Sequence, residues 1–227
     1  MNKNVINPYA LIKIFYDNFY NKTFNDKGLN GWAYRKTHKD LETNSSCIPG
    51  GNILEIGAGA AQHLKYVKND FLTYTMVDLS VEPSHLRDPR CKWIQGDIQY
   101  QSFEPNHFDR ILSMCVFHHL DHPEKVMELI DIWLKPGGTF SLFLPLDPSL
   151  ANRISRRLVV MPRTRKLGFD EYEIVNALEH KNHFWGLKTM LNYFFQDYDK
   201  LVRYKPFVKG VPFLNLYSIW HFRKPLK

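Results

Sequence analysis

Between residues 51 and 145, short apolar runs alternate with mixed, helix-like stretches. Asn52–Ile56, Leu72–Val77, Cys91–Gln95 and Phe108–Val116 each read as a strand. From Ile111 onward the last of these is apolar except for Ser113, as in a strand covered on both faces. Ala60–Asn69 has a helix-like pattern. Pro123–Lys135 reads as a helix, with Val126, Ile130 and Trp133 on one face and Met127 and Leu134 beside them. The run Lys135-Pro136-Gly137-Gly138 stops it, and Gly138–Pro145 reads as a further strand. Alternation of this kind predicts a parallel, doubly wound sheet.

The flanks read differently. In the head, residues 1–50, Asn7-Pro8 suits a helix start, and Tyr9, Ile12, Phe15 and Phe19 recur at helical spacing. The simplest reading is a helix packed on the domain; a lid over an active site or an in-plane membrane contact are the alternatives. Thr43-Asn44-Ser45-Ser46 and Pro49-Gly50-Gly51 mark a loop into the first strand. Residues 146–169 have weak periodicity and carry Arg153, Arg156, Arg157, Arg163, Arg165 and Lys166. Asp170–Leu178 and Trp185–Phe195 read as helices. Tyr198–Tyr204 and Phe213–Phe222 read as a strand pair around Gly210 and Pro212.

Composition narrows the class. A chain of 227 residues with 44% hydrophobic and 23% charged positions suits one globular domain and excludes wholesale disorder. A net charge of +7 favours an anionic partner: a phosphate-bearing substrate, an acidic membrane surface or nucleic acid. Cys47, Cys91 and Cys115 have no disulfide-framework spacing and nothing at the start reads as a leader, so the expected setting is the cytoplasm. No stretch of about 18 apolar residues suggests a membrane-spanning helix.

The strongest chemical signal is Ile53-Leu54-Glu55-Ile56-Gly57-Ala58-Gly59-Ala60-Ala61. A strand ends in a Gly-x-Gly turn whose bare backbone can lie against a ligand. Gln62 stands where a dinucleotide-binding turn wants a third glycine, and Glu55 suits a cationic ligand group better than a diphosphate. Asp78, closing the next strand, can accept from both ribose hydroxyls, and Leu79 can lie against a purine face. Asp97 can accept from an adenine amine, with Ile98 on the other ring face. Each acid alone would more simply be a cap or turn residue; their order favours a nucleoside pocket.

Residues 53–142 resemble the core of the class I S-adenosylmethionine-dependent methyltransferases, especially the type-11 group. The resemblance rests on Leu54–Gly59, Val77-Asp78-Leu79-Ser80, Gly96-Asp97-Ile98, and the block from Phe108-Asp109-Arg110-Ile111 through His118-His119-Leu120-Asp121 to Leu134–Gly138. It implies S-adenosylmethionine as cofactor. Glu55 and the backbone near Gly57, Ala58, Gly59 and Met114 would hold its methionine moiety, Asp78 its ribose, and Asp97, Leu79 and Ile98 its adenine. It also implies a Rossmann-like, seven-stranded sheet with an antiparallel last strand. Within a single domain, residues 1–50 would be a helical lid, 51–145 the cofactor core, 146–169 a substrate cap and 170–227 helices and a hairpin.

The expected activity is methyl transfer to the O or N atom of a small or carbohydrate-like acceptor, including phosphate-bearing ones. The alternative acceptor is a membrane lipid, quinone or lipid-linked glycan, which would place the protein at the inner membrane face. His119 and His118, just beyond the fourth strand, are the candidate bases, with His119 first; cofactor packing is the simpler reading for either. Arg153, Arg156 and Arg157 suit an anionic group of the acceptor, and Tyr34 could close over the site. His118, His119, Asp121 and His122, and again Glu179, His180 and His183, lack the spacing of a structural zinc site, so no metal is expected. A nicotinamide-dependent oxidoreductase fits worse, given Gln62 and Glu55. Nucleic-acid methylation is disfavoured because Ser113-Met114-Cys115-Val116 stands where a base-amine motif would be.

Overall fold

The structure is a computed structural model that describes residues 7–23, 28–43, 45, 50–207 and 210–226. Cys47 and most of the loop expected before the first strand lie outside the described residues. Seven strands form one sheet: β1 (Gly51–Ile56), β2 (Phe71–Asp78), β3 (Cys91–Gln95), β4 (Phe108–Met114), β5 (Leu134–Pro145), β6 (Asp199–Lys205) and β7 (Tyr217–Arg223), in the order β3-β2-β1-β4-β5-β7-β6. β1 to β5 pair in parallel, and β7 runs antiparallel between β5 and β6. This is the Rossmann-like α/β sheet expected. Because β2 lies on one side of β1 and β4 on the other, the connection reverses direction beside β1, where ligands bind in open α/β sheets.

Side-chain alternation builds a core on each face of the sheet. Leu54 and Ile56 of β1, Leu142 and Leu144 of β5, and Trp220 and Phe222 of β7 point to one face. There they meet α4 (Pro123–Trp133) and α8 (Phe184–Phe194) through Val126, Ile130, Trp133, Leu187 and Leu191. Ile53, Met76, Leu112, Phe143 and Ile219 point to the other face, under Leu41, Ala58 and Ala61. Fully burying each such side chain contributes about 2 kcal/mol before conformational entropy is charged.

Three elements differ from expectation. Ala60–Asn69 is a turn followed by a single 3-10 turn, Leu64–Tyr66, rather than a helix. Ala61 sits at φ +54°, outside helical geometry, and His63 is fully buried between Glu42 and His38, which fixes the backbone there. α3 (Gly28–Leu41) was not foreseen, because the side it buries is largely polar: His38 and Asp40 are buried, as is Glu42 just beyond it. Glu42 accepts from Arg110 Nη2 at 2.6 Å and from His63 Nε2 at 2.9 Å; Asp40 accepts from Tyr217 Oη at 2.7 Å. Burial opposes ionisation of Glu42, yet those hydrogen bonds hold its carboxyl down to about 2. β5 starts at Leu134, so the Lys135–Gly138 stop lies inside a strand that follows α4 directly.

The segment after β5 is helical: α5 (Leu150–Ser155), a π-helical turn over Arg156–Val160, and α6 (Met161–Lys166). With α7 (Tyr172–Glu179) it forms a cap. α1 (Pro8–Asn18), opened by Asn7 accepting from the Tyr9 amide, packs on that cap rather than on the sheet. Leu11 and Phe15 of α1 meet Met161, Phe169, Tyr172 and Val175. Among the described residues no helix is long and apolar enough to cross a membrane.

Candidate functional site

The chain turns sharply after β1. Gly57 has φ +72°, and a Cβ there would stand 2.1 Å from Val116 Cγ2, so the position admits only glycine. Gly59 has φ +57°, and a Cβ there would meet nothing within 4 Å. The turn therefore presents bare backbone to open space. Ala58, between the two glycines, is buried in the core. The Asp78 carboxylate, at the end of β2, accepts from the Gly59 amide at 2.7 Å and from the Ser80 amide at 2.8 Å.

Around this turn, Leu79, next to Asp78, is 72% exposed and free to lie against a ligand. Asp97 accepts from the Gln99 amide at 2.9 Å and from Gln99 Nε2, capping its own 3-10 turn. Ile98 is buried in the main core. Met114 is half-buried, and the adjacent Cys115 adopts φ +56°. Tyr20, in α2 (Tyr20–Thr23), has its hydroxyl pKa raised by burial and by the nearby Cys115 thiol, Tyr172 and Asp78. Tyr20 stacks on Tyr16 of α1, with ring centroids 5.0 Å apart, and is a residue the sequence did not single out.

Glu55 is 2% exposed, and its carboxylate accepts from Tyr74 Oη at 2.8 Å. Burial raises its pKa to about 8, against the Tyr74 hydrogen bond and the Arg110 charge. Burial thus favours the neutral form of this acid beneath the turn.

Beyond β4, the chain places His118 and His119 against His180, which follows α7. Ring centroids lie 4.0 Å apart for His118–His119 and 4.4 Å for His118–His180. Asn182 brings the two segments together. Its amide donates to the His118 carbonyl at 3.1 Å, and its Nδ2 to the Phe117 and Leu120 carbonyls at 3.1 and 2.6 Å. His119 Nδ1 lies 2.9 Å from the Glu179 carbonyl, and His180 Nδ1 lies 2.9 Å from Asp147 Oδ2. A carbonyl can only accept, so His119 carries its proton on Nδ1 and a lone pair on Nε2. Burial, with His180 beside it, lowers the His119 pKa to about 4, and burial drives His118 well below the usual imidazole range. Tyr16 of α1 donates to Glu179 Oε2 at 3.1 Å, closing the site from the cap side.

The expected substrate arginines are not equivalent. Arg156 Nη2 is bound to Asp147 Oδ1 at 2.7 Å, which links the cap to His180, whereas Arg153 and Arg157 are exposed. Tyr34 lies on α3 and packs edge-on against His38, 4.5 Å between centroids. Asp147 and Asn182 carried no signal in sequence, since each acts through partners far along the chain.

These residues fit S-adenosylmethionine: an acid at the tip of β2, an exposed leucine beside it, and a glycine turn with open space above. Residues 54–142 match the family model described as a methyltransferase domain. Phosphoethanolamine N-methyltransferase 2 of Caenorhabditis elegans is 26% identical over 158 residues, covering 60% of this chain but 36% of that protein. The chain thus spans little more than a third of that relative. The plantazolicin methyltransferase BpumL in complex with SAH superposes with a TM-score of 0.61 at 18% identity, over 95% of this chain and 90% of that one. A possible histamine N-methyltransferase from Thermotoga maritima superposes with a TM-score of 0.64 at 13% identity, over 96% of this chain and 100% of that one. At such identities the likeness establishes the shared fold.

Proposed function

We propose that this chain, whose residues 54–142 match a methyltransferase-domain model, is an S-adenosylmethionine-dependent methyltransferase that transfers the cofactor's methyl group to an O or N atom of a small acceptor that carries an anionic group. The observation that carries the reading is the Asp78–Gly59 pairing at 2.7 Å, which joins the tips of two neighbouring parallel strands at the reversal point of the sheet. Asp78 would hold the ribose hydroxyls, Leu79 the adenine face, and the Gly57–Gly59 backbone the methionine moiety. Asp97 would accept from the adenine amine through lone pairs that Gln99 leaves free.

S-adenosylmethionine supplies an already activated methyl group, so the protein's task is alignment of the acceptor and management of its proton. His119, with His118 behind it, would meet the acceptor's O–H or N–H, a role supported by the single tautomer in which the Glu179 carbonyl holds His119. Tyr16 and Tyr20 close the site from the head of the chain. Arg153 and Arg157, exposed on the cap, suit a phosphate. One matched relative is named for phosphoethanolamine, a small phosphate-bearing amine, which supports that acceptor class.

A second reading, a lipid or lipid-linked acceptor, is favoured by one specific feature. Leu150, Ile154 and Leu158 recur every four residues along α5 and the π turn, all exposed, with Arg153 and Arg157 alongside. An exposed apolar stripe bordered by cations suits an acidic membrane surface. Transfer of labelled methyl from S-adenosylmethionine into host-cell extract, followed by phase partition, separates the two. Label in aqueous small molecules supports the soluble acceptor; label in the organic phase supports the lipid; no transfer contradicts both.

A further inference from the structure

The geometry points to a metal site: His118, His119 and His180 together bind one divalent transition ion of the zinc class, at the acceptor side of the cleft. One ring nitrogen from each lies within 4.8 Å of the other two, and among the described residues no other group of histidines, cysteines and acids is gathered in this way. Around a tetrahedral ion with bonds of about 2.0 Å, ligand nitrogens stand roughly 3.3 Å apart. Binding would therefore draw the ring nitrogens together by up to about 1.5 Å.

Three further features favour a ligand set over three packed rings. His118 is 95% buried, and its Nδ1 has no hydrogen-bond partner, a state that native structures avoid unless an ion or water completes it. His180 is oriented by the Asp147 carboxylate at 2.9 Å and His119 by the Glu179 carbonyl at 2.9 Å, the outer contacts that metal-bound imidazoles use to fix their tautomer. Asp147 is itself anchored by Arg156 at 2.7 Å, so the carboxylate stays ionised and in place. Asn182 then locks the two segments in register from behind.

The chemistry of the set selects the ion. Three neutral nitrogens suit zinc, cobalt, nickel or copper, whereas magnesium and calcium want oxygen ligands. Three protein ligands leave a coordination position open, as in catalytic rather than structural sites. The outer rings of the cluster, His119 and His180, are 29% and 22% exposed at their side chains, so the open position is accessible from solvent. Its use rests on the methyltransferase reading: the ion would stand between His119 and the acceptor and lower the pKa of an acceptor hydroxyl. An amine would lose its only lone pair to the ion, so occupancy would narrow the acceptor atom to oxygen.

Cobalt(II) titrated into the chelator-treated, folded protein tests this without any turnover. One equivalent should give the visible absorption of low-coordinate cobalt, displaced by zinc. His180→Ala should abolish the signal, and Asp147→Ala should weaken cobalt affinity by roughly tenfold to a hundredfold. Absence of the absorption, or a signal unchanged in both His180→Ala and His119→Ala, would overturn the site. Calorimetric titration of S-adenosylhomocysteine into the same samples keeps the two readings separate. Homocysteine-nucleoside binding with no cobalt signal removes the metal alone, and a cobalt signal without nucleoside binding removes the cofactor reading alone.

Discussion

The Asp78 carboxylate receives the Gly59 amide proton at 2.7 Å, so the acid closing β2 and the second glycine after β1 are held as one unit. The same carboxylate is the group proposed for the ribose. Asp78→Ala is expected to lower affinity for S-adenosylhomocysteine by roughly tenfold to a hundredfold, the worth of hydrogen bonds to a charged group. Calorimetry measures it, with thermal melting as the check on folding. Equal affinity in the variant would take Asp78 out of the ribose site.

Gly57 is constrained twice, by φ +72° and by Val116 at 2.1 Å from any added Cβ. Gly57→Ala should destabilise the protein by roughly 2–4 kcal/mol, combining backbone strain with overpacking. Adding Val116→Ala should restore part of that loss, because only the steric component is relieved. Chemical denaturation of the single and double variants reads the difference; no recovery would place the whole effect in the backbone.

Glu42 and Arg110 are both buried and paired at 2.6 Å. Glu42→Gln should cost roughly 3–5 kcal/mol at pH 7 by leaving the guanidinium without a counter-charge. The Glu42 carboxyl is held at about 2 in the fold, against 4.5 unperturbed. Its contribution is therefore complete above pH 4.5 and fades as pH falls toward 2. Wild-type and variant stabilities should converge over that window; a constant gap would mean that the charge is not what matters.

Glu55 has the opposite sign. Its folded pKa of about 8 lies above the unperturbed 4.5, so the unfolded chain ionises first, and stability is lost as pH rises from 4.5 to 8. Glu55→Gln removes that loss and keeps an acceptor for Tyr74. At pH 8 the variant should melt roughly 5 °C or more above wild type, with little difference at pH 4.5. A lower melting point for the variant at pH 8 would show that the ionised acid is stabilised in the fold.

His119 acts on the acceptor in the proposal, directly or through a bound ion, and has no part in the nucleoside pocket. His119→Ala should reduce turnover by roughly a hundredfold or more while S-adenosylhomocysteine affinity stays within about twofold. Labelled methyl transfer and calorimetry read the two quantities. Unchanged turnover would remove His119 from the reaction.

Much of the sheet was legible in the sequence because its strands obey simple patterns. β4 is apolar on both faces from Ile111, and β3 was bounded by the same residues, Cys91–Gln95, in both readings. α3 escaped because its buried residues are His38 and Asp40, matched by His63 and Tyr217 far away in the chain. No helical apolar stripe marks such a face. The expected helix after Gly59 failed at Ala61, whose left-handed backbone no local pattern reveals. At the site, Gly57, Gly59 and Asp78 were readable because their spacing is local to two strand ends. The union of His119 with His180 was not, since it depends on Asn182 bridging segments 62 and 65 residues apart.

The central claim is that the cleft at the tips of β1, β2 and β4 binds S-adenosylmethionine. Direct titration of S-adenosylhomocysteine into the wild-type chain and into Gly57→Arg tests it most directly. One equivalent should bind the wild type in the micromolar range, about −8 kcal/mol, and none should bind the variant, whose fold is checked by circular dichroism, with Asp78→Ala as the variant that leaves the turn's backbone intact and should bind more weakly. Failure of the wild type to bind, or equal binding by Gly57→Arg, would contradict the account.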